Sequence, residues 1–284
     1  MRYQAKQVQK ILHETGGFLS SFSHSLNTYA GCAFGRATPV GAGCPFCYVR
    51  ELPVAKSARA AWGEWVAAKV NAPAALEREL KDFSERGELS ELRIFMGTST
   101  DVYQGIEREL ELTREVLRVF TRFPEVGALV VQTRSPLIER DIDLLRSMAE
   151  RVWVSFTIET NDETVRRILT PTSPSTERRW RTLERLVGAG IRTQAAISPM
   201  LPNRPGEFAE LLKDRCTRAL VDTFWDGGGS GGRRSLALGM KELYDQLGYA
   251  DWWSRDRHLE LLAALRACLG EERVVFSHSG FNAI

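Results

Sequence analysis

The chain has 284 residues, 43% of them hydrophobic, enough to bury one large core, so a single α/β domain is expected. Its 38 basic and 36 acidic residues leave a formal net charge of +2, which excludes the broad cationic field of a general nucleic-acid binder while leaving room for local basic clusters. No apolar run approaches the roughly 18 to 20 residues that span a bilayer and none follows the first residues, so the expectation is a cytoplasmic protein with no membrane partner.

Residues 1–26 read as a polar lead-in, with Gly16-Gly17 marking a turn before Phe18, Leu19 and Phe22, packed as a loop against the domain. Residues 27–53 are rich in Gly, Cys, Pro and Ala and carry neither helical nor strand period, so something other than an apolar core must organise them, as a metal would. A βα alternation follows: helix 74–86, strand 91–96, helix 107–123, strand 128–133, helix 139–150, strand 152–158, helices 162–169 and 176–189, and strand 192–197. The strands are short and apolar, as in Leu129-Val130-Val131 and Val152-Trp153-Val154, the mark of parallel strands covered on both faces. This fits an open doubly wound sheet or a barrel, and in both the chemistry sits beyond the C-terminal strand ends, where the polar motifs of this chain fall. Residues 226–234 (Asp-Gly-Gly-Gly-Ser-Gly-Gly-Arg-Arg) read as a flexible insert loop, followed by helices 236–247 and 257–269 and a last strand 273–276.

Five cysteines is an odd count in a chain without an export signal, which argues against a disulfide framework and for metal or redox use. Cys32, Cys44 and Cys47 lie within sixteen residues, among Gly31, Gly35, Gly41, Gly43, Pro39 and Pro45, which let the backbone wrap closely around one point. Three thiolates suit a [4Fe-4S] cluster with one iron left open, which implies catalysis. The alternative is a non-catalytic module stabilised by zinc, with a fourth ligand such as His24. Cys216 and Cys268 occur singly in helical stretches and read as core thiols.

The run Ser25-Leu-Asn-Thr-Tyr-Ala-Gly-Cys32, followed by Cys44-Pro-Phe-Cys47-Tyr-Val-Arg50, resembles the cluster loop of the spore photoproduct lyase-like group of radical S-adenosylmethionine (radical SAM) proteins. Eleven residues separate Cys32 from Cys44 where that group has three, and the excess within 33–43 is read as an outward bulge that leaves both thiolates in place. Further segments resemble the group's motifs in order: Gly97-Thr-Ser-Thr-Asp-Val-Tyr-Gln-Gly-Ile-Glu107, then Gln132-Thr-Arg-Ser-Pro136 with Arg134 in place of a lysine, and then Val154-Ser-Phe-Thr-Ile-Glu-Thr160. Arg166-Arg-Ile-Leu-Thr-Pro171 and Ala195-Ala-Ile-Ser-Pro-Met-Leu-Pro202 complete the series.

The resemblance implies a partial (β/α)6 barrel with a C-terminal helical and strand extension, divided into a lead-in (1–26), a radical SAM core (27–202) and an extension that completes the barrel or a substrate cleft (203–284). It implies a [4Fe-4S] cluster on Cys32, Cys44 and Cys47. It also implies S-adenosylmethionine held by Gly97, Thr98, Ser99, Asp101, Thr133, Arg134, Ser155, Thr157 and Pro199, with an electron donor such as flavodoxin or ferredoxin. Ser155, Thr157 and Glu159 alternate along one strand and are expected to face the interior, Glu159 also reading as a paired structural carboxylate. N-capping by Ser99, Thr100 or Asp101 is the simpler role for that segment. Photoproduct lyases carry a hydrogen-donating cysteine near the position of Gly97-Thr98-Ser99; none lies there in this chain, which leaves Tyr103 as a hydrogen relay. Trp225, Arg233, Arg234, Tyr244, Tyr249, Trp252, Trp253 and His278 either line a substrate cleft suited to a nucleobase or belong to the core.

Overall fold

The computed structural model describes residues 1–227 and 231–284; Gly228, Gly229 and Ser230 of the Gly-rich insert lie outside the described residues. The central sheet has eight strands: β1 (Leu12–Glu14), β2 (His24–Leu26), β3 (Arg93–Met96), β4 (Ala128–Thr133), β5 (Val152–Thr157), β6 (Thr193–Ile197), β7 (Arg218–Val221) and β8 (Val274–Phe276). They lie in chain order across the sheet, and β2 to β8 are parallel, with β1 antiparallel on one edge. β2 to β7 form the six-stranded βα unit and β8 extends it.

Side-chain alternation builds two apolar layers. Ile94, Met96, Leu129, Val131, Val154 and Ile197 face the outer helices and join the main core with Leu76, Val116 and Leu183 of α1 (Ala72–Glu85), α2 (Leu112–Thr121) and α3 (Thr176–Gly188). The intervening residues Phe95, Val130 and Leu220 point inward and close the interior floor with Phe22 and Phe281. Beside the floor runs a buried polar ladder. Arg218 Nε donates to Gln194 Oε1 (2.7 Å), Gln194 Nε2 to Ser155 Oγ (3.0 Å) and Ser155 Oγ to Gln132 Oε1 (3.4 Å).

Edge strands β1 and β8 belong to opposite ends of the sheet order. The space between them is bridged by the short helix α4 (Ser277–Asn282) and the 3-10 turn Gly17–Leu19. Asn282 accepts from Ser21 N (2.8 Å) and donates to Phe18 O (2.9 Å), and Phe18 meets Phe281 edge-on at 5.3 Å.

Several expectations need correction. Residues 1–26 are not a loop: they supply β1 and β2, and Arg2–Lys6 pairs in parallel with Trp65–Lys69 in a second small sheet. The helix expected over 107–123 is two, Glu107–Leu110 and α2, because Glu111 sits at φ 50°. Residues 139–150 begin as a 3-10 turn, Pro136–Asp141, and continue as an α-helix only over Ile142–Ser147. Leu92 and Ile158 flank their strands as irregular backbone.

Candidate active site

Strand register brings the polar motifs to one level. Leu26 pairs with Met96, Met96 with Val131, Phe156 with Thr133, Thr157 with Ala196, and Ile197 with Val221. The residues just beyond, Asn27, Gly97, Arg134, Ser198 and Asp222, therefore ring the C-terminal mouth of the sheet. A cavity of ≈ 450 Å³ opens there, lined by all three loop cysteines, the 97–101 segment, Thr133, Arg134, Thr157 and Pro199. That volume is within the roughly 300–1,000 Å³ of small-molecule sites.

The cysteine loop is held by polar contacts together with the apolar packing of buried Phe46 and Val49. Gln104 Oε1 accepts from Ala33 N (2.8 Å) while its Nε2 donates to Gly31 O (3.3 Å), and Tyr48 Oη donates to Thr98 O (2.6 Å). The extra residues between Cys32 and Cys44 form a turn and a two-stranded hairpin, Ala37–Thr38 against Gly41–Ala42, with Val40 exposed at its tip. The hairpin returns Cys44 to the cavity because Gly43 passes close to the chain: a Cβ there would lie 2.1 Å from Phe34 O. Burial raises all three thiol pKa values, Cys44 to about 12 and Cys47 to about 11. Backbone N–H groups of Asp101 and Phe34 at Cys32, and of Val49 at Cys47, pull the other way and would stabilise thiolates. Among the described residues no three His, Cys, Asp or Glu side chains close on a point suited to one metal ion.

Beside the cysteines, Gly97 takes φ +96°, and a Cβ there would meet Gln132 O at 2.5 Å, so this tight approach of β3 to β4 requires glycine. Asn27 holds the next two residues, donating to Thr98 Oγ1 (2.9 Å) and accepting from Ser99 N (3.1 Å). Asp101 does not cap a helix. Its carboxylate accepts from Tyr103 N (2.8 Å), Thr133 Oγ1 (2.6 Å) and Arg134 N (3.0 Å), tying the loop to the end of β4. The Arg134 guanidinium reaches Cys44 Sγ (3.1 Å), Ser173 Oγ (3.3 Å) and Glu159 Oε1 (2.9 Å). Glu159 is fully buried and also pairs with buried Arg179 at 2.6 Å. The two guanidinia hold the Glu159 carboxyl below its ordinary range against the effect of burial.

Not every expected residue joins the cavity. Tyr103 is buried and does not line the cavity; its phenol donates to Asp141 Oδ2 (2.9 Å). Ser155 belongs to the polar ladder below the cavity. His24 lies on the opposite face of β2 from cavity-lining Ser25 and packs edge-on against Phe83, so it does not complete a cysteine site. Tyr244, Tyr249, Trp252 and Trp253 pack with Phe46 and Phe224 in a secondary core; of that aromatic and basic region as read in the sequence, Arg234 alone lines the cavity. The polar residues missed in the sequence are Asn27, Gln104 and Asp222. The first two stood inside quoted motifs, whereas Asp222 is one acid after a short apolar strand and carried no signal.

A family model described as Radical SAM superfamily matches residues 26–214. An uncharacterized protein of Methanocaldococcus jannaschii is 30% identical over 63% of this chain and 60% of its own length. An uncharacterized protein of Acidianus two-tailed virus is 25% identical over 60% of this chain and 56% of its own. The matches thus span less than two thirds of these relatives. Spore photoproduct lyase complexed with dinucleoside spore photoproduct superposes at TM-score 0.63 and 12% identity, over 96% of this chain and 80% of that one. A substituted form of that lyase with bound AdoMet and dinucleoside spore photoproduct superposes at 0.62 and 12%, over the same 96% and 80%. These likenesses establish a shared α/β fold. With the family model covering most of its length, the chain belongs to the radical SAM superfamily of enzymes.

Proposed function

We propose that Cys32, Cys44 and Cys47 hold a [4Fe-4S] cluster, that S-adenosylmethionine binds at its open iron, and that a hydrogen atom is abstracted from a substrate carbon in the remainder of the cavity. The observation that carries this reading is the convergence of three thiols, the Gly97 turn and the Arg134 guanidinium on one cavity. The donor set fits the group: soft sulfur ligands, backbone N–H groups aimed at two of them, and a cation at the third. A single-ion zinc site fits less well, since the cysteines do not close on one point and His24 faces elsewhere. When bound, the reduced cluster supplies the electron that splits S-adenosylmethionine into methionine and a 5′-deoxyadenosyl radical.

The protein's own residues bind, orient and exclude water. Gly97 brings backbone close to the methionine end, with Thr98 and Ser99 held there by Asn27. Asp101 fixes Thr133 and the Arg134 backbone, and the Arg134 guanidinium, which reaches Cys44, would be the group to pair with the methionine carboxylate. Thr157 and Pro199 continue the wall towards the adenosyl end, and Phe34, Phe46 and Trp62 keep water from the reacting atoms. Ser155 acts from below, through Gln132. Residues 27–202 make up the cofactor-binding core, 1–26 close its edge and 203–284 supply the substrate side. A small reduced protein such as flavodoxin or ferredoxin delivers the electron. Repair of a thymine lesion in the manner of photoproduct lyase is disfavoured by the lack of a cysteine at Gly97-Thr98-Ser99; the phenol that does stand at this turn, that of Tyr48, donates to Thr98 O (2.6 Å).

The test is anaerobic reconstitution with iron and sulfide, followed by dithionite reduction with S-adenosylmethionine. Release of 5′-deoxyadenosine by the unsubstituted protein and its loss in Cys44→Ala support the reading; unchanged release in that variant rejects the ligand assignment.

A further inference from the structure

The C-terminal end of β7 contributes to the cavity a buried carboxylate with an acceptor oxygen that lacks a well-formed hydrogen bond. Asp222 follows β7, level with Ser198 after β6 and with Ser277 after β8. It is 4% exposed and lines the cavity. Its Oδ2 accepts from Ser198 Oγ at 3.1 Å, and the Ser277 hydroxyl and the Thr223 N–H lie near enough to favour the charged form, while Oδ1 has no well-formed hydrogen bond. The charge that bears on it is that of Asp226, another acid, and burial raises its pKa to about 6. A buried acid left in this state costs stability, which cavity-lining groups tolerate when a ligand completes them.

The surroundings indicate what that ligand looks like. Phe18, Phe224 and Phe281 all line the cavity; Phe18 and Phe281 are locked together edge-on, and Phe224 packs against Phe46. Gly227 leaves room at the carboxylate: a Cβ there would lie 2.4 Å from Asp222 Oδ2. Asp222 stands past Pro199 on the next strand, beyond the residues assigned to the cofactor.

We propose that Asp222 is the specificity-determining acceptor for the substrate, and that the substrate presents an amine or amide N–H to its open oxygen while a planar apolar body lies against Phe18, Phe224 and Phe281. This deepens the reading above: it assumes that the radical is generated at the cysteine side and that the substrate fills the rest of the cavity. Such an N–H would satisfy Oδ1, and its apolar body would exclude the water that otherwise solvates the carboxylate. A substrate lacking the donor would leave the acceptor buried and unpaired, which is how a polar site rejects analogues.

The experiment uses the anaerobically reconstituted full chain with S-adenosylmethionine at pH 7.5 and three probes followed by ligand-observed NMR: benzylamine, benzamide and toluene. The proposal expects both nitrogen-bearing probes to bind Asp222→Leu at least about tenfold more weakly than the unsubstituted protein, with toluene changed by less than about twofold. Asp222→Asn, which keeps an oxygen acceptor and loses the charge, is expected to keep more of the benzamide affinity than of the benzylamine affinity. Equal loss of all three probes in Asp222→Leu, together with unchanged binding of all three to Asp222→Asn, overturns the proposal, as does nitrogen-probe binding that ignores both substitutions. Release of 5′-deoxyadenosine by the unsubstituted protein is measured separately. Its absence removes the radical reading and leaves the binding result to stand or fall by itself.

Discussion

Asp222 makes a quantitative prediction about stability that runs opposite to the usual effect of altering a buried residue. The carboxyl ordinarily titrates near 3.8 and in the folded chain near about 6, with burial the chief cause. The folded state therefore binds the proton more tightly than the unfolded chain, so stability falls as pH rises from 3.8 towards 6 and stays at the lower level above it. At about 1.4 kcal/mol for each tenfold change in proton affinity, the displacement corresponds to roughly 3 kcal/mol at neutral pH. Asp222→Asn removes the ionisation and keeps an acceptor for Ser198. Allowing for imperfect hydrogen bonding by the amide, about 1–3 kcal/mol of stabilisation is expected, or a Tm increase of roughly 2–5 °C for a chain of this size. The assay is thermal unfolding by circular dichroism under argon at a fixed scan rate, at pH 8 and at pH 4. The increase should be present at pH 8 and absent at pH 4, where the carboxyl is already protonated in the fold. An equal change at both pH values, or a fall at pH 8, would refute the inference that the carboxylate is buried without adequate compensation.

Glu159→Gln leaves buried Arg179 and half-buried Arg134 without their shared counter-charge, and should cost about 3–5 kcal/mol in denaturant unfolding near neutral pH. Because the folded pKa of Glu159 is lowered, its contribution is present above the ordinary carboxylate range and lost as pH falls below it, so the variant and the parent should converge in acid. Gly97→Ala places a Cβ against Gln132 O at a left-handed φ and should weaken S-adenosylmethionine binding by about tenfold or more, read by equilibrium dialysis; unaltered binding would remove the turn from the cofactor site. Cys268→Ser should retain the full iron and sulfide content on reconstitution, while Cys32→Ser should not. Equal iron in the two variants would contradict the ligand set.

Much of the fold was legible because buried parallel strands write themselves as apolar runs. The 128–133 strand stands where its sequence indicates, since Ala128 to Val131 are buried on both faces. The strands that escaped notice lack that mark. Arg2–Lys6 is exposed along its whole length, β2 is three residues of mixed polarity, and β7 begins at Arg218, whose guanidinium is buried through Gln194 and the carbonyls of Gly280 and Ala283. Glu111 breaks a helix that periodicity ran together, because periodicity reports which face is apolar and not the local φ.

In the candidate site, cysteine spacing and the Gly97 segment could be read directly, since only a few residue types serve those purposes. Asn27 and Gln104 accept from loop N–H groups 72 and 71 residues distant in sequence, a relation no local pattern displays. Tyr103 and Ser155 show the converse. Both sit within or beside good motifs, yet one turns into the Asp141 network and the other into the interior ladder, because strand and loop geometry decide which neighbour in a motif faces the cavity.

The most direct measurement is the electron paramagnetic resonance spectrum of the reconstituted, dithionite-reduced protein before and after addition of S-adenosylmethionine. Three protein thiolates with one exchangeable iron position require a reduced [4Fe-4S] signal whose g-values shift when the cofactor is added. A protein that takes up only zinc, or a cluster signal that is indifferent to S-adenosylmethionine, would contradict the assignment.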